Sequence, residues 1–203
     1  LARLGWSHGD DEIFSDEQAI EWFDIADANK GAARLDWDKL NHVNAHYIRQ
    51  ADDARLAGLI AKALEQRGQN LSFDQHVKLT AAVGFLKERG KTIPELADQA
   101  AFLFRERPIA LDDKTRSVLT PETLGRLTRL RAQLDGADWT AEALEGLLKA
   151  FAESEGVGFG KIGPPLRGML TGGSPAPDLG KTMAALGREE TLARLDDALS
   201  RSA

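Results

Sequence analysis

The 203-residue sequence contains no cysteine, which excludes disulfides, thiolate metal sites and a cysteine nucleophile. No apolar run reaches the roughly 18 residues that a membrane-spanning helix requires, so we predict no membrane span. No basic stretch leads into an apolar core near the start, so we identify no signal peptide. The first residue is Leu1 rather than Met, and we interpret the chain as a piece of a longer cytoplasmic protein. A natural terminus trimmed of its methionine is the alternative.

Positive charge is scarce overall but concentrated in one block. The chain has 26 basic and 32 acidic side chains, a net charge of −6. Residues 87–131 are net +3, whereas residues 1–86 are net −5 and residues 132–203 are net −4. Arginine predominates in this block, which suits planar contacts with bases and phosphates. The pattern indicates either a local nucleic-acid-binding face or a solvated helix surface. The ten cations are Lys87, Arg89, Lys91, Arg105, Arg107, Lys114, Arg116, Arg126, Arg129 and Arg131.

Helical periodicity runs through the whole chain, and no segment shows the alternation typical of a β-strand. Residues with side chains that can cap a helix stand before the apolar stripes, and glycine or proline ends them. The sequence therefore predicts an all-α fold of about ten or eleven helices with a seam near residues 108–120. We expect most of the aromatic side chains to lie in the core, Phe159 excepted. The predicted caps are Ser15, Asp36, Asp52 or Asp53, Ser72, Thr92, Thr120 and Thr140, and the predicted stops are Gly68, Gly90, Pro108, Gly156 and Gly187.

Two patterns superficially resemble sites of chemistry. His42 and His46 have the i, i+4 spacing of a two-histidine zinc helix, but Val43 stands where a zinc protease has glutamate. The stretch from Gly156 to Lys161 is rich in glycine, yet it lacks phosphate-loop spacing and the Ser or Thr after Lys. We therefore predict no catalytic residue and no metal site in this chain.

Four segments, in order along the chain, resemble bacterial glutamyl-tRNA synthetases. Residues 1–15 read LARLGWSHGDDEIFS and resemble the segment after the catalytic half of that family. Residues 35–44 read LDWDKLNHVN and, with HYIR at 46–49, resemble a family helix of the F/L-D-x-x-K-L-x-x-x-N type. Residues 165–172 read PLRGMLTG and resemble P-L-R-x-x-L-T-G, and residues 186–195 read LGREETLARL and resemble L-G-R-E-x-x-L-x-R-L. The resemblance thus covers the whole chain.

The resemblance implies the C-terminal, anticodon-binding half of a class I ligase that joins glutamate to tRNA. It implies a helical bundle or cage in three parts: the end of a stem-contact linker helix and loop (1–14), and two helical anticodon-binding subdomains (15–110 and 111–203). ATP and Mg²⁺ would belong to the catalytic half, because signatures of the His-x-Gly-His and Lys-Met-Ser-Lys types are absent here. The implied partners are tRNA(Glu) and that catalytic half. We expect a cytoplasmic monomer whose 203 residues alone are inactive.

The resemblance also implies which residues meet the tRNA. Arg167 and the loop residues Ala176, Pro177, Asp178 and Leu179 correspond to family positions at the first and second anticodon bases, with Ala176 where relatives can have threonine. Arg89 resembles the arginine that reads the third base, although a cation stabilising a helix end is the alternative. Phosphate contacts are expected from Lys161, Arg105, Arg107 and Arg116. The alternative function is a non-catalytic helical scaffold for protein–protein contacts.

Overall fold

The computed structural model describes residues 5–29, 31, 34–176 and 178–202. Over these residues the chain forms eleven α-helices and no strand, which confirms the all-α prediction. Short 3₁₀ turns at Ile25–Asp27, Ala101–Phe104 and Phe159–Lys161 join some of them. The helices are α1 (Asp16–Trp22), α2 (Trp37–Gln50), α3 (Asp53–Glu65), α4 (Phe73–Leu86), α5 (Ile93–Ala100), α6 (Asp113–Val118), α7 (Pro121–Leu134), α8 (Ala141–Ser154), α9 (Gly163–Thr171), α10 (Leu179–Leu186) and α11 (Arg188–Ser202).

The helix starts follow from side chains that accept hydrogen bonds from the first turn. Ser15 and Ser72 each form a complete capping box with the glutamine three residues later. The other predicted caps are also confirmed, and at the start of α3 the cap is Asp52. Because each such side chain satisfies backbone N–H groups that a helix leaves unpaired, its position could be predicted from the sequence.

Between residues 96 and 120, one prediction was wrong and one helix was missed. The helix predicted to run to Pro108 ends at Ala100 and continues as the 3₁₀ turn Ala101–Phe104. The seam contains an unpredicted helix, α6, whose cap Asp112 accepts from the Thr115 N–H at 2.8 Å. Its six residues include a single buried side chain, Thr115, so α6 has no apolar stripe to predict it.

Buried apolar residues from Ile48 to Ala198 form one hydrophobic cluster that spans both sides of the predicted subdomain boundary. Within it α10 packs on α8, α3 packs on α4 and α5, and α11 packs on α7 and α9. The boundary at residue 110 therefore remains a prediction. No helix of the described residues combines the length and hydropathy needed to cross a bilayer.

Most of the described aromatic residues are buried or partly buried, as predicted, but several others lie at the surface. Trp37 and Phe73 are 66% and 82% exposed, and Phe23 is also exposed. Trp6 is buried in a small local cluster, where its ring centroid lies 6.1 Å from that of Phe14 and 5.7 Å from that of Phe23. Periodicity identified the faces on which these rings lie, but it could not identify which faces are covered.

Candidate nucleic-acid interface

The loop of residues 172–178 joins α9 to α10. At its first residue, Gly172, the backbone lies close to residues 105–110. Gly172 ends α9 with a left-handed φ of 62°. A Cβ there would lie 2.6 Å from the Ala110 carbonyl oxygen and 2.5 Å from Arg105 Nη1. Only glycine fits both the backbone conformation and this space. The T-G step at the end of α9 thus directs the loop along residues 105–112.

Arg167, in the middle of α9, ties this loop to the helix that precedes it. Its guanidinium is half-buried, and Nη1 donates a hydrogen bond to the Ala176 carbonyl oxygen at 3.1 Å. Burial lowers the pKa of Arg167, and the nearby Asp178 carboxylate opposes this change. The arginine nevertheless remains charged, because a guanidinium group is not deprotonated in a folded protein. A fixed positive charge therefore lies at the base of the loop.

Arg89 and Asp178 connect the loop to a distant part of the chain. Arg89 lies in the turn after α4, and its Nη2 contacts the two carboxylate oxygens of Asp178 at 2.9 and 3.1 Å. Asp178 precedes α10 without capping it through its side chain. A second ion pair joins the same two elements, with Lys181 Nζ 2.5 Å from Glu88 Oε2. The end of α4 is thus joined to the start of α10 by two adjacent charge pairs.

The structure brings most of the predicted anticodon-binding residues into one place. Arg89 and Asp178 are close enough for their charges to act in opposite directions on the pKa of Arg167. Leu179 is only 2% exposed, so it can offer a ligand its backbone but not its side chain. Pro177 lies outside the described residues. The contact of this cluster with RNA remains a prediction.

The four cations predicted to contact phosphates differ in whether a carboxylate of the chain already pairs with them. Arg107 lies 3.3 Å from Glu190 and 3.4 Å from Asp197, and Arg116 lies 2.8 Å from Asp113, so both cations have carboxylate partners. Lys161 and Arg105 are exposed and form no ion pair with the described residues. Of the two, Arg105 lies beside Gly172 at the entrance to the loop.

The net-basic block does not form a continuous positive surface. Carboxylates from the acidic flanks compensate much of it: Glu155 pairs with Arg129, and Asp196 pairs with Arg131 at 2.8 Å. These hydrogen-bonded partners raise the pKa of both arginines, and Arg129 lowers the pKa of Glu155. Counting charge along the sequence therefore overstated the positive charge available to a ligand.

Sequence reasoning missed Arg194, which is 1% exposed in α11. Its Nη1 donates to the carbonyl oxygens of Phe102 at 2.8 Å and Leu170 at 2.7 Å, while Nη2 reaches the Arg105 carbonyl at 3.2 Å. Its Nε donates to Glu190 at 2.7 Å. One side chain thus fixes the end of α9 against residues 102–105. The available signal was an arginine within the buried i, i+3, i+4, i+7 stripe of residues 191, 194, 195 and 198.

His42 and His46 both lie on α2. His42 is exposed, and Asn44 between them donates to the Lys91 carbonyl oxygen at 2.6 Å. Over the described part of the chain, no cluster of three or more His, Asp or Glu has the arrangement of a metal site. The α2 polar face instead contacts a neighbouring backbone.

Comparison with known proteins agrees with this architecture. Residues 49–199 match the family model described as the anticodon binding domain. The chain is 60% identical over 201 residues to the glutamate–tRNA ligase of Caulobacter vibrioides, covering 98% of this chain and 43% of that protein. It is 54% identical over 204 residues to the glutamate–tRNA ligase of Phenylobacterium zucineum, covering 100% and 44%.

A solved structure supports the same assignment. The crystal structure of a glutamate tRNA ligase from Elizabethkingia meningosepticum superposes with a TM-score of 0.82 at 29% identity, covering 98% of this chain and 39% of that one. The chain therefore spans less than half the length of the relatives it matches. The family model, the helical architecture and these relatives lead to one conclusion: the chain belongs to the family of anticodon-binding domains.

Proposed function

We propose that this chain is the anticodon-arm recognition module of a glutamate–tRNA ligase. The observation that carries the proposal is the family match over residues 49–199, combined with high identity to proteins named as that enzyme. The whole protein would attach glutamate to tRNA(Glu) with ATP and Mg²⁺, which would bind in its catalytic half. This module would hold the anticodon arm and help to select the tRNA.

The cluster around the loop offers a physical means of reading bases. Unstacked anticodon bases expose their Watson–Crick edges, and arginine side chains and backbone groups can bind those edges. We assign the third base to Arg89, and the first and second bases to Arg167 with the loop from Ala176 to Leu179. Because the Ala176 carbonyl already accepts from Arg167, that arginine would both shape the loop and present its charge to the RNA. Lys161 and Arg105 would contact phosphates, which position the RNA without specifying its sequence.

The proposed partners also include the catalytic half of the longer protein. We propose that this longer protein is a monomer and acts in the cytoplasm. The helix α2 carries an exposed apolar stripe formed by Trp37, Leu40 and Tyr47, whereas its Ala45 and Ile48 are buried. An apolar stripe of this kind is typical of a contact surface. The catalytic half is the partner that we propose for it.

Binding measurements with two RNAs test the proposal. We expect the chain to bind tRNA(Glu) more tightly than the same tRNA with its third anticodon base changed, and we expect both affinities to fall with salt. Each phosphate contact should add about 0.7–0.9 to the slope of log affinity against log salt. Arg167→Ala should weaken cognate binding by about 1–3 kcal/mol. Arg89→Ala should instead reduce the discrimination between the two RNAs.

A matched control separates the cluster from a general effect of lost charge. Arg67, like Arg89, is exposed in the turn after a helix and pairs with one aspartate, with its Nη1 2.6 Å from Asp98. Arg67→Ala should leave the discrimination unchanged. Equal binding of both RNAs would contradict a role in anticodon reading. Salt-independent binding, or none, would favour the protein–protein scaffold instead.

A further inference from the structure

The pair formed by Arg89 and Asp178 has a geometry that a simple surface ion pair does not require. Both carboxylate oxygens of Asp178 approach the same nitrogen, Arg89 Nη2, at 2.9 and 3.1 Å. Within the described residues, Nη1 and Nε of Arg89 donate to no protein group. The aspartate therefore fixes the direction of the guanidinium while its other N–H groups stay available to a ligand.

The position of Asp178 also departs from the usual pattern at helix starts. An aspartate before a helix normally caps the first turn through its side chain, as Asp36, Asp52 and Asp112 do here. The side chain of Asp178 does not cap α10 and binds Arg89 instead. Since N-capping stabilises a helix and this aspartate forgoes it, its contact with Arg89 is the interaction that the local geometry favours.

The same carboxylate lies near the second arginine of the cluster. Arg89 is close enough to Arg167 to lower its pKa, whereas the Asp178 carboxylate raises the pKa of Arg167. Without the carboxylate, the Arg89 side chain, which is 60% exposed, would be free to reorient in water. Asp178 thus holds Arg89 by direct contact and places a negative charge near Arg167.

We propose that Asp178 is a positioning residue for base discrimination: it orients Arg89 beside Arg167 so that Arg89 reads one anticodon base. This inference rests on the proposed function, because it assumes that Arg89 meets the RNA. Asp178 itself contributes orientation to this contact. Its removal should therefore affect selectivity between RNAs more than it affects affinity in general.

The neighbouring ion pair provides a closely matched control. Glu88 and Asp178 both pair with a cation across the same junction between α4 and α10, but only Asp178 contacts Arg89. Asp178→Asn and Glu88→Gln each replace a carboxylate with an amide, remove one negative charge and keep the backbone. Any gain in general attraction to RNA phosphates should be common to both variants. In Asp178→Asn the amide leaves one acceptor and sets a donor beside Arg89.

The quantity to measure is the ratio of dissociation constants for the tRNA changed at the third anticodon base and for tRNA(Glu), at one fixed salt concentration. We expect Asp178→Asn to lower this ratio by about two- to fivefold, in line with an exposed ion pair. Glu88→Gln should leave the ratio unchanged. In an Arg89→Ala background, Asp178→Asn should have no further effect on the ratio, since the residue that it orients is absent.

The outcomes separate this inference from the proposed function. If Arg89→Ala lowers the ratio but Asp178→Asn does not, the positioning role is wrong while the assignment of Arg89 stands. Equal losses in Asp178→Asn and Glu88→Gln would show that docking of α10 on α4 is what matters, which also overturns the inference. A ratio that rises in Asp178→Asn would overturn the inference, because the carboxylate would then compete with the base for Arg89. No discrimination by the unmodified chain, or no effect of Arg89→Ala, would contradict the proposed role of this cluster itself.

Discussion

Residues 5–48 and residues 49–199 contain similar helices but differ in what those helices bury. Of the described residues before 49, only Trp6, Ala45 and Ile48 are buried, and α1 buries none of its side chains. From α3 onward, the helices meet in a continuous core in which Leu64, Leu130 and many others are almost inaccessible. The family model begins at residue 49, directly after Ile48, the first member of this core.

This difference shows that capping and amphipathic pattern produce helices in both regions, whereas packing distinguishes them. The first region exposes large apolar side chains, such as Ile20 at 79% and Trp37 at 66%. Buried polar side chains follow the same division, because Arg194 and five threonines are buried after residue 49 and none is buried before it among the described residues. The stability of the chain should therefore depend mainly on the second region.

The largest effect should come from the buried arginine of the second region. Arg194→Met keeps a side chain of similar length but removes four donated hydrogen bonds, leaving three backbone carbonyls without this donor. We expect a loss of about 3–5 kcal/mol in the free energy of unfolding, measured by urea denaturation. Arg201→Met, at the exposed end of the same helix, should change it by less than about 0.5 kcal/mol. Similar losses in both variants would contradict a special role for Arg194.

A pair of leucines tests the comparison with identical chemistry in each region. Leu130 in α7 is 0% exposed, whereas Leu40 in α2 is 41% exposed. Leu130→Ala should lower the free energy of unfolding by about 2–5 kcal/mol because it leaves a cavity in the core. Leu40→Ala should cost less than about 1 kcal/mol in this chain. If the two losses in urea denaturation were equal, the first region would be part of the same cooperative core.

The contrast also explains which features the sequence could predict. Caps such as Ser72 and stops such as Gly156 are local, since each acts on residues within one helical turn. The ion pair of Arg89 and Asp178 joins residues 89 positions apart, so no local pattern contains it. The resemblance to a family named both residues, but their contact came only from the fold. The exposure of Trp37 could not be predicted either, because an apolar helix face does not show whether this chain itself covers it.

The smallest effect should come from two capping boxes that match in geometry but lie in different regions. In each, the serine Oγ accepts from the backbone N–H of the glutamine three residues later at 3.2 Å. Removing such a cap costs a helix about 0.5–2 kcal/mol. Ser72→Ala should show this loss in urea denaturation, because α4 places Leu79, Val83 and Leu86 in the core.

Ser15→Ala should leave the denaturation midpoint unchanged, because α1 buries no side chain and can fray without disturbing the core. Its effect should appear instead as faster hydrogen exchange of the α1 amides alone. A global loss of stability in Ser15→Ala would mean that α1 is coupled to the core despite its exposure. Residue 49 would then mark the start of the family match but would not separate two regions that differ in folding stability.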